Sequence, residues 1–293
     1  MLVSAKEVWQ DAKAHGYAVC APNILNAETA QKCIEAAEEL KAPIILDAGY
    51  RGPGRSLAET RHLYNLVRAI EPYAHAARVP VVIQQDHGKS YESAVSCIAA
   101  GFTSIMVDRS QLPFDDNVAQ VAELVKIAHA AGISVEAELG HVGFGKDYDK
   151  TSDWQALMTD PKEAADYVEK TGVDALAVAV GTAHGAYKGE PKIDFDRLEE
   201  IRKVTDFPLV IHGGSGSGDE NLARLARSGV VKINIANALI WSATERFEAF
   251  MKKMMEERKT TAGPWDMKQD QFLEGFKDAV KRHIELFGSA NRC

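Results

Sequence analysis

Short runs of apolar and β-branched residues alternate with longer amphipathic stretches along the whole chain. An apolar run of about four to eight residues is typical of a buried strand, and apolar positions that recur every three to four residues indicate a helix. Eight strands are predicted, at 17–21, 43–47, 80–86, 104–108, 134–139, 175–180, 208–212 and 230–235. Helices are predicted between them, at 27–41, 57–70, 91–100, 118–131, 161–171, 195–204 and 220–228, and again beyond Trp241.

Mostly short connections join these elements, and glycine often follows a helix, as at Gly101 and Gly172, where a left-handed residue ends it. Eight strands that alternate with helices favour a closed parallel barrel, the (β/α)8 TIM-barrel fold, here with extra C-terminal helices. An open doubly wound α/β sheet is the alternative, but no GxGxxG follows the first strand. Because the chain shows no internal repeat or linker, we expect residues 1–293 to form a single domain.

The composition excludes several classes of protein. Hydrophobic residues make up 46% and charged residues 26%, which is typical of a folded soluble chain rather than a disordered one. The net charge of -8 argues against a nucleic-acid partner. No apolar run reaches the roughly 20 residues that span a membrane, and the amino terminus lacks the apolar core of a secretion signal, so a cytoplasmic protein is expected. The cysteines show no paired spacing and are expected to be reduced thiols: Cys20, Cys33, Cys97 and Cys293.

Polar residues stand at the carboxyl ends of most predicted strands, the face on which such a barrel carries its active site. An apolar strand has no packing reason to end repeatedly in a carboxylate or an imidazole, so we expect these side chains to form a site. They are Gln84, Asp86 and His87 at the end of strand three, Asp108 on strand four, Glu136 and Glu138 on strand five, His184 after strand six, His212 on strand seven and Asn234 on strand eight.

His87, His184 and His212 come from three different strands, and three imidazoles that converge on one point make an open-sided zinc site. Such a site leaves a coordination position for substrate. Glu138 and Asp108 could hold a second metal position or orient a histidine, and ordinary hydrogen bonding at the barrel mouth is the alternative.

A glycine-rich run, His212-Gly-Gly-Ser-Gly, follows strand seven. Its backbone N–H groups suit a phosphate, and the loops after strands seven and eight are the usual phosphate site of such barrels. Asn234 and the hydroxyl of Ser215 would add donors, and Lys188 would add charge. A plain flexible turn is the alternative interpretation of the same run.

Seven segments spread along the chain carry a family resemblance: AVCAPNILNAET at 18–29, DHG at 86–88, VEAELG at 135–140, GTAHGAYKGEPKIDFDRL at 181–198, HGGSG at 212–216, KINIAN at 232–237 and GSANR at 288–292. In this order they resemble the zinc-dependent class II aldolases that cleave ketose bisphosphates, with the tagatose- and fructose-bisphosphate aldolase branch nearest. The similarity covers essentially the whole chain.

The resemblance implies an aldolase that cleaves or forms a carbon–carbon bond between dihydroxyacetone phosphate and an aldehyde. It implies one Zn2+ per subunit on His87, His184 and His212, with Asp86 as proton donor and acceptor at that bond. Asn23 matches a substrate-side position. The phosphate would be cradled by the loops after strands six to eight, at Gly185, Gly213, Gly214, Ser215, Asn234, Ile235, Ala236 and Asn237. The family also implies a monovalent cation beside these loops and a homodimer or homotetramer.

Several positions depart from the family pattern near the expected substrate, and three of them are candidate specificity residues. Gln84 replaces an imidazole, Arg109 is introduced after strand four, and Lys146 falls where the loop after strand five often carries an acid. One explanation is a substrate other than fructose 1,6-bisphosphate, whose second anion pairs with Arg109, Lys146, Arg51 or Arg55. The other is that these are solvated surface charges.

Two further functions stay open at this level. A Schiff-base aldolase would need a buried lysine, and Lys232 shares a face of strand eight with Asn234. A structural lysine in the lower barrel is the alternative for that residue. The second is a catalytically silent phosphosugar-binding barrel that has kept the metal site.

Overall fold

The computed structural model describes residues 1–49, 57–145, 155–257 and 265–293. The strands are β1 Val19–Pro22, β2 Ile44–Gly49, β3 Val81–Gly88, β4 Ser104–Val107, β5 Ser134–Leu139, β6 Ala175–Val178, β7 Leu209–Ile211 and β8 Val230–Ile235. The helices are α1 Ala5–His15, α2 Ala27–Leu40, α3 Leu57–Ala76, α4 Tyr91–Ala100, α5 Phe114–Ala130, α6 Pro161–Thr171, α7 Phe195–Val204, α8 Asp219–Arg227, α9 Asn237–Glu256 and α10 Trp265–Leu286, with a 3₁₀ turn at Gln155–Leu157.

The strands form one parallel sheet in the order β1-β8-β7-β6-β5-β4-β3-β2. The seam between β1 and β2 is bridged at Asn23 and Asp47, and the Ile24 N–H donates to the Asp47 carbonyl at 3.0 Å. This nearly closed barrel, with its helices outside, confirms the predicted (β/α)8 TIM barrel. Closure brings the carboxyl ends of the strands around one opening, where a site can be assembled.

Helix α1 covers the amino-terminal end of the barrel, and the sequence prediction did not include it. Ser4 and Glu7 form a reciprocal capping box at its start. Its buried side chains pack in one cluster with inward-facing strand residues and are Ala5, Val8, Trp9 and Ala12. Burial of one large apolar side chain contributes roughly 1.5–3 kcal/mol. Apolar side chains therefore fill the amino-terminal end of the barrel, and a polar site can form only at the carboxyl end.

Helices α9 and α10 are the predicted C-terminal helices, and α10 packs against both α9 and α2. Salt bridges join α10 to α2: Lys32 Nζ lies 2.7 Å from Glu274 Oε1, and Lys281 Nζ lies 2.7 Å from Glu39 Oε2. Lys277 also pairs with Glu39. The end of the chain is thus tied to the first helix of the barrel wall.

Some element limits differ from the predicted ones. Helix α5 begins at Phe114 rather than at 118, because Asp115 and Asp116 in its first turn suit the positive end of a helix. Strand β7 ends at Ile211, so His212 lies on the loop that follows. Helix α3 continues to Ala76. Gly101 and Gly172 end their helices in the left-handed region, with φ of 99° and 68°, as predicted.

Two findings bear on the class of protein. All four cysteines are free, and three of them are buried, as expected for reduced thiols. Within the described ranges, no helix is long and apolar enough to cross a membrane. The single domain over residues 1–293 stays a prediction.

Candidate active site

The inward-facing side chains change from apolar to polar toward the carboxyl ends of the strands. At most 8% of each of these residues is exposed: Asp47, Gln84, Asp86, Asp108, Glu136, Glu138, His212, Lys232 and Asn234. Burial of charged groups is unfavourable unless they are paired or bind a metal. This layer therefore forms a site rather than ordinary packing.

Three imidazoles meet in this layer, as the sequence predicts. His87, His184 and His212 each offer a ring nitrogen within 4.8 Å of the other two. The ring centroids of His87 and His212 are 4.6 Å apart, and those of His87 and His184 are 5.0 Å apart. His87 Nε2 and His212 Nδ1 are buried and have no hydrogen-bond partner among the described residues. Such nitrogens are free to bind a metal ion.

His87 reaches this cluster because strand β3 is irregular at its end. The register between β3 and β4 shifts between Gln85 and Gly88, and His87 has a φ of 48°. A non-glycine residue in this left-handed region costs roughly 1–2 kcal/mol. In a regular strand, Asp86 and His87 would point to opposite faces. The bulge turns both toward the barrel opening.

Two buried carboxylates orient the imidazoles from behind. His87 Nδ1 donates to Asp108 Oδ2 at 2.9 Å, and His212 Nε2 donates to Glu136 Oε1 at 2.7 Å. Each bond fixes the ring so that its other nitrogen faces the cluster. The role in orienting a histidine considered for Asp108 thus has a geometric basis. The sequence places Glu136 at a strand end but does not predict its contact with His212.

The pKa values of the imidazoles differ because their surroundings differ. Burial and the neighbouring rings of His87 and His212 lower the pKa of His184 to about 3. Burial also lowers the pKa of His212. Burial alone would lower the pKa of His87, but the nearby carboxylates of Asp86 and Asp108 outweigh burial and raise that pKa to about 10. His184 and His212 are therefore neutral bases near pH 7, as metal binding requires, whereas His87 is protonated near pH 7 and must release a proton when a metal binds.

Glu138 belongs to a second group of ligand atoms, with His87 and Asp108, that also lie within 4.8 Å of one another. It accepts a hydrogen bond from the Val142 N–H at 3.1 Å. Burial, assisted by the charge of Asp108, raises the pKa of Glu138 to about 7. Both roles considered for Glu138, a second metal position and an orienting contact, stay predictions.

Asp86 lies beside the imidazoles. Its Oδ1 is 3.8 Å from both His87 Nε2 and His212 Nδ1, and its Oδ2 accepts from Asn23 Nδ2 at 2.7 Å. Asn234 Nδ2 approaches Oδ1 at 3.4 Å. Burial raises the pKa of Asp86, but His87 and His212 outweigh it and lower that pKa overall. Asp86 is thus a carboxylate, held in place by amide donors.

A small cavity of about 40 Å³ opens on this cluster. It is lined by Asn23, Asp86, His184, Gly185, His212, Gly213, Ser215, Asn234, Ala236 and Asn237. Gly213 has a φ of 68°, and a Cβ there would lie 2.6 Å from the Ala183 backbone, so only glycine fits. Ser215 Oγ accepts from the Ala236 N–H at 3.0 Å and the Ala238 N–H at 3.2 Å, at the start of α9.

Three of the predicted phosphate-site residues do not line this cavity. Gly214 donates its N–H to the Asn234 carbonyl at 3.1 Å, and the Ile235 side chain packs in the outer apolar core. Lys188 is exposed, and its N–H donates to the Gly145 carbonyl at 3.1 Å. Gly214 and Ile235 therefore support the loops after β7 and β8 without facing the cavity.

Lys232 lies below the cavity in a polar network. Its Nζ is 2.9 Å from Glu136 Oε2 and 3.4 Å from Asp47 Oδ2. Burial lowers the pKa of Lys232, but Asp47 and Glu136 outweigh it and raise that pKa. A Schiff base needs a neutral amine that can reach the substrate. The buried ammonium of Lys232 therefore fits the structural alternative.

Of the three candidate specificity residues, the structure describes two, Gln84 and Arg109, and both lie inside the protein. Gln84 is fully buried, and its Nε2 donates to Glu136 Oε2 at 2.7 Å. Arg109 is 6% exposed and donates to the backbone carbonyls of Gly88 and Asp108. Gln84 and Arg109 thus use these donors inside the protein, and the substrate-specificity role considered for them stays a prediction. Lys146 lies outside the described residues, and so do Arg51 and Arg55.

Known proteins match the chain over its whole length. The model of the family "Fructose-bisphosphate aldolase class-II" matches residues 3–292. A fructose-bisphosphate aldolase of Staphylococcus aureus is 41% identical over 296 residues, which cover 100% of this chain and 99% of that one. A fructose-bisphosphate aldolase of Staphylococcus epidermidis is 40% identical over the same shares of the two chains.

Solved structures agree with this match. The crystal structure of the YdjI aldolase from Escherichia coli K12 superposes with a TM-score of 0.84 at 32% identity, covering 99% of each chain. The fructose-bisphosphate aldolase of Campylobacter jejuni superposes with a TM-score of 0.82 over 100% of this chain and 97% of that one. At 22% identity it supports the fold alone. The chain therefore belongs to the class II fructose-bisphosphate aldolase family and is a metal-dependent aldolase, a carbon–carbon lyase.

Proposed function

We propose that the protein cleaves and forms the carbon–carbon bond of a ketose phosphate or bisphosphate, with dihydroxyacetone phosphate as one product and an aldehyde as the other. One observation carries the proposal: Asp86 and two imidazoles of the metal cluster, His184 and His212, line the same cavity as the glycine-rich loop. A carboxylate can move a proton, imidazoles can bind a metal, and the loop suits a phosphate. That combination fits an aldol reaction of a phosphorylated ketose.

The metal in this proposal is one Zn2+ per subunit, held by His87, His184 and His212. The residues fit such an ion, because His87 Nε2 and His212 Nδ1 are buried without a partner in the described part of the chain, and imidazole nitrogens are preferred zinc ligands. When bound, zinc supplies Lewis acidity that stabilises negative charge on substrate oxygens. Asp108 and Glu136 keep the rings in orientation and raise the basicity of the ligating nitrogens.

Asp86 is the general base and acid of the proposed reaction. During cleavage, its carboxylate accepts the proton of the hydroxyl group on the carbon that becomes the aldehyde, the carbon–carbon bond breaks, and the electron pair left on the dihydroxyacetone phosphate half takes up a proton from solvent. Synthesis runs the same steps in reverse, and Asp86 returns its proton to the new hydroxyl group. Asn23 donates to Asp86 Oδ2 at 2.7 Å, which leaves Oδ1 facing the imidazoles. This contact orients the carboxylate toward the reacting carbon.

The phosphate of the dihydroxyacetone phosphate unit is proposed to lie between Gly185, Gly213, Ser215 and the start of α9 at Asn237. Backbone N–H groups and the positive end of a helix both favour an anion. A monovalent cation beside these loops, and a charge contribution from the exposed Lys188, stay predictions.

The aldehyde half is the least defined part of the substrate. Gln84 and Arg109 use their polar groups inside the protein, so a second anion of a changed substrate would have to meet other cations. The remaining candidates are Lys146, Arg51 and Arg55, which lie outside the described residues. The silent-binder alternative is disfavoured, because Asp86 and all three imidazoles are in place and the chain is an aldolase by family.

The experiment that tests the proposal is the release of dihydroxyacetone phosphate from a panel of ketose 1-phosphates and 1,6-bisphosphates, with and without a metal chelator. We expect release that the chelator abolishes and added zinc restores. The best substrate would identify the aldehyde half. Release that survives complete metal removal, or no release from any member of the panel, would contradict the proposal.

We also propose that the protein works in the cytoplasm as a homodimer or homotetramer, with no nucleic-acid or membrane partner. Sedimentation velocity of the purified protein tests the assembly. A monomer at enzymatic working concentrations would contradict it.

A further inference from the structure

Arg109 is a buried arginine at the ends of β3 and β4. Its Nη1 donates to the Gly88 carbonyl at 2.9 Å and to the Asp108 carbonyl at 2.9 Å. Its Nε donates to Gln120 Oε1 on α5 at 2.8 Å. One guanidinium thus joins two strand ends and a helix.

No carboxylate of the described residues lies within 4.0 Å of this guanidinium as an ion-pair partner, so its charge is held by carbonyl and amide oxygens. Burial lowers the pKa of Arg109. Burial of a cation without an ion pair is unfavourable unless hydrogen bonds satisfy it, and here two backbone carbonyls and one amide oxygen do so. The positions of these partners indicate what the guanidinium holds in place.

Both carbonyl partners adjoin the pair formed by His87 and Asp108. Gly88 directly follows His87, and Asp108 accepts the hydrogen bond of His87 Nδ1 at 2.9 Å. The Gly88 carbonyl also accepts from the Asp108 N–H at 3.1 Å, so Arg109 reinforces the contact between the two strand ends.

The backbone at this point is strained. His87 has a φ of 48°, and a Cβ on Gly88 would lie 2.7 Å from the Met106 carbonyl, so the chain passes close to β4. A residue in this region keeps its conformation only when surrounding contacts hold it. The hydrogen bond from Arg109 to the carbonyl of Gly88, the residue that follows His87, is a contact of that kind.

We propose that Arg109 is a positioning residue, which holds the bulge at His87 and thereby keeps the His87–Asp108 pair in its metal-binding orientation. The inference rests on the proposed metal site. Without the guanidinium, the strand ends are free to separate and His87 to leave the left-handed region, which carries its Nε2 away from His184 and His212. Arg109 therefore acts on the metal through His87 and does not contact the substrate.

The test compares the full-length wild-type protein with Arg109→Met, which keeps a long side chain and loses every donor. Zinc affinity is measured by competition with a chromophoric chelator, and the visible spectrum of the cobalt-substituted protein is recorded. We expect the zinc Kd of Arg109→Met to rise about 10–100-fold, the usual effect of removing a group that orients a metal ligand. We also expect a shifted cobalt spectrum, because one imidazole changes its position.

Arg197→Met is the matched control, since Arg197 Nη1 also donates to a backbone carbonyl, that of Thr159 at 3.3 Å, but away from the histidines. Its zinc Kd should equal that of the wild-type protein. If circular dichroism shows that metal-free Arg109→Met is unfolded, the zinc Kd of Arg109→Lys tests the inference instead. This variant keeps the positive charge but loses the planar fork of donors. We expect its Kd to rise by about tenfold.

An unchanged zinc Kd and an unchanged cobalt spectrum in a folded Arg109 variant would overturn the inference and leave the proposed function intact. A wild-type protein that binds no zinc or cobalt would overturn the metal site itself, and this inference with it.

Discussion

Asp86 and His87 are consecutive residues, yet both side chains reach the imidazole cluster, with Asp86 Oδ1 3.8 Å from His87 Nε2. The left-handed φ of His87 and the register shift after Gln85 make this possible. A proton-transfer group and a metal ligand are thereby placed side by side by one irregular strand end. The predictions below test what each group around this pair contributes.

Asp86→Asn should lose aldol cleavage by about 10²–10⁴-fold, because an amide cannot accept the hydroxyl proton. The zinc content should stay that of the wild-type protein. Coupled cleavage assays and metal analysis measure the two quantities. Cleavage within tenfold of the wild-type rate would show that Asp86 is not the base.

Glu136→Gln should raise the zinc Kd about 10–100-fold, because His212 loses the carboxylate that fixes its ring. The substitution keeps the shape of the side chain. Glu39→Gln serves as the control, since Glu39 lies on the outer surface of α2 and contacts no histidine. Equal zinc affinity in the two variants would show that the contact between Glu136 and His212 has no role in metal binding.

Lys232→Met should reduce the free energy of unfolding by about 3–5 kcal/mol, because Asp47 and Glu136 are left as buried carboxylates without their cation. Denaturant unfolding of the metal-free proteins measures the change. Lys253→Met, at an exposed position of α9, should stay within about 0.5 kcal/mol.

The same lysine allows a test of the Schiff-base alternative. Borohydride added to the wild-type protein together with substrate should leave its activity unchanged, because the ammonium of Lys232 is held by Asp47 and Glu136. Irreversible inactivation with a covalent adduct on Lys232 would revive that alternative.

The contact between α10 and α2 should depend on pH. Hydrogen bonds from Lys277 and Lys281 lower the pKa of Glu39 to about 2. A carboxyl group whose pKa is lower in the folded state stabilises the fold above its unfolded pKa, and this contribution is lost as the pH falls toward the folded value. Because Glu39 is partly exposed, the contribution is at most about 1 kcal/mol.

The measurement compares the free energy of unfolding of the wild-type protein and Glu39→Gln at pH 7 and pH 3.5. The difference between the two proteins should shrink at the lower pH. A difference that grows as the pH falls would contradict the assignment.

The sequence predicted the barrel and the convergence of its histidines, because both depend on spacing along the chain. Strand ends of a parallel barrel meet at one opening, so the order of His87, His184 and His212 was enough to bring them together. Helix α1 was also predictable: Ala5, Val8, Trp9 and Ala12 have helical spacing, and Ser4 with Glu7 is a capping box.

Other features depend on partners that spacing does not specify. Which carboxylate supports which imidazole is decided across the barrel, between β5 and the loop after β7 for Glu136 and His212. Arg109 stands after a strand, where a substrate-binding cation is expected, and the contacts of its side chain with Gly88 and Gln120 inside the wall could not be predicted from that position. The position of a residue in a strand predicts the face to which its side chain points, but it does not predict which atom that side chain contacts.

The most direct test of the central claim is to measure zinc content and dihydroxyacetone phosphate release on the same samples of wild-type protein and His184→Ala. We expect one zinc per wild-type subunit and chelator-sensitive release. His184→Ala should have neither, while the thermal midpoint of its metal-free form matches that of the metal-free wild-type protein. Stoichiometric zinc and normal release in His184→Ala would contradict the claim that these three imidazoles hold the metal on which the reaction depends.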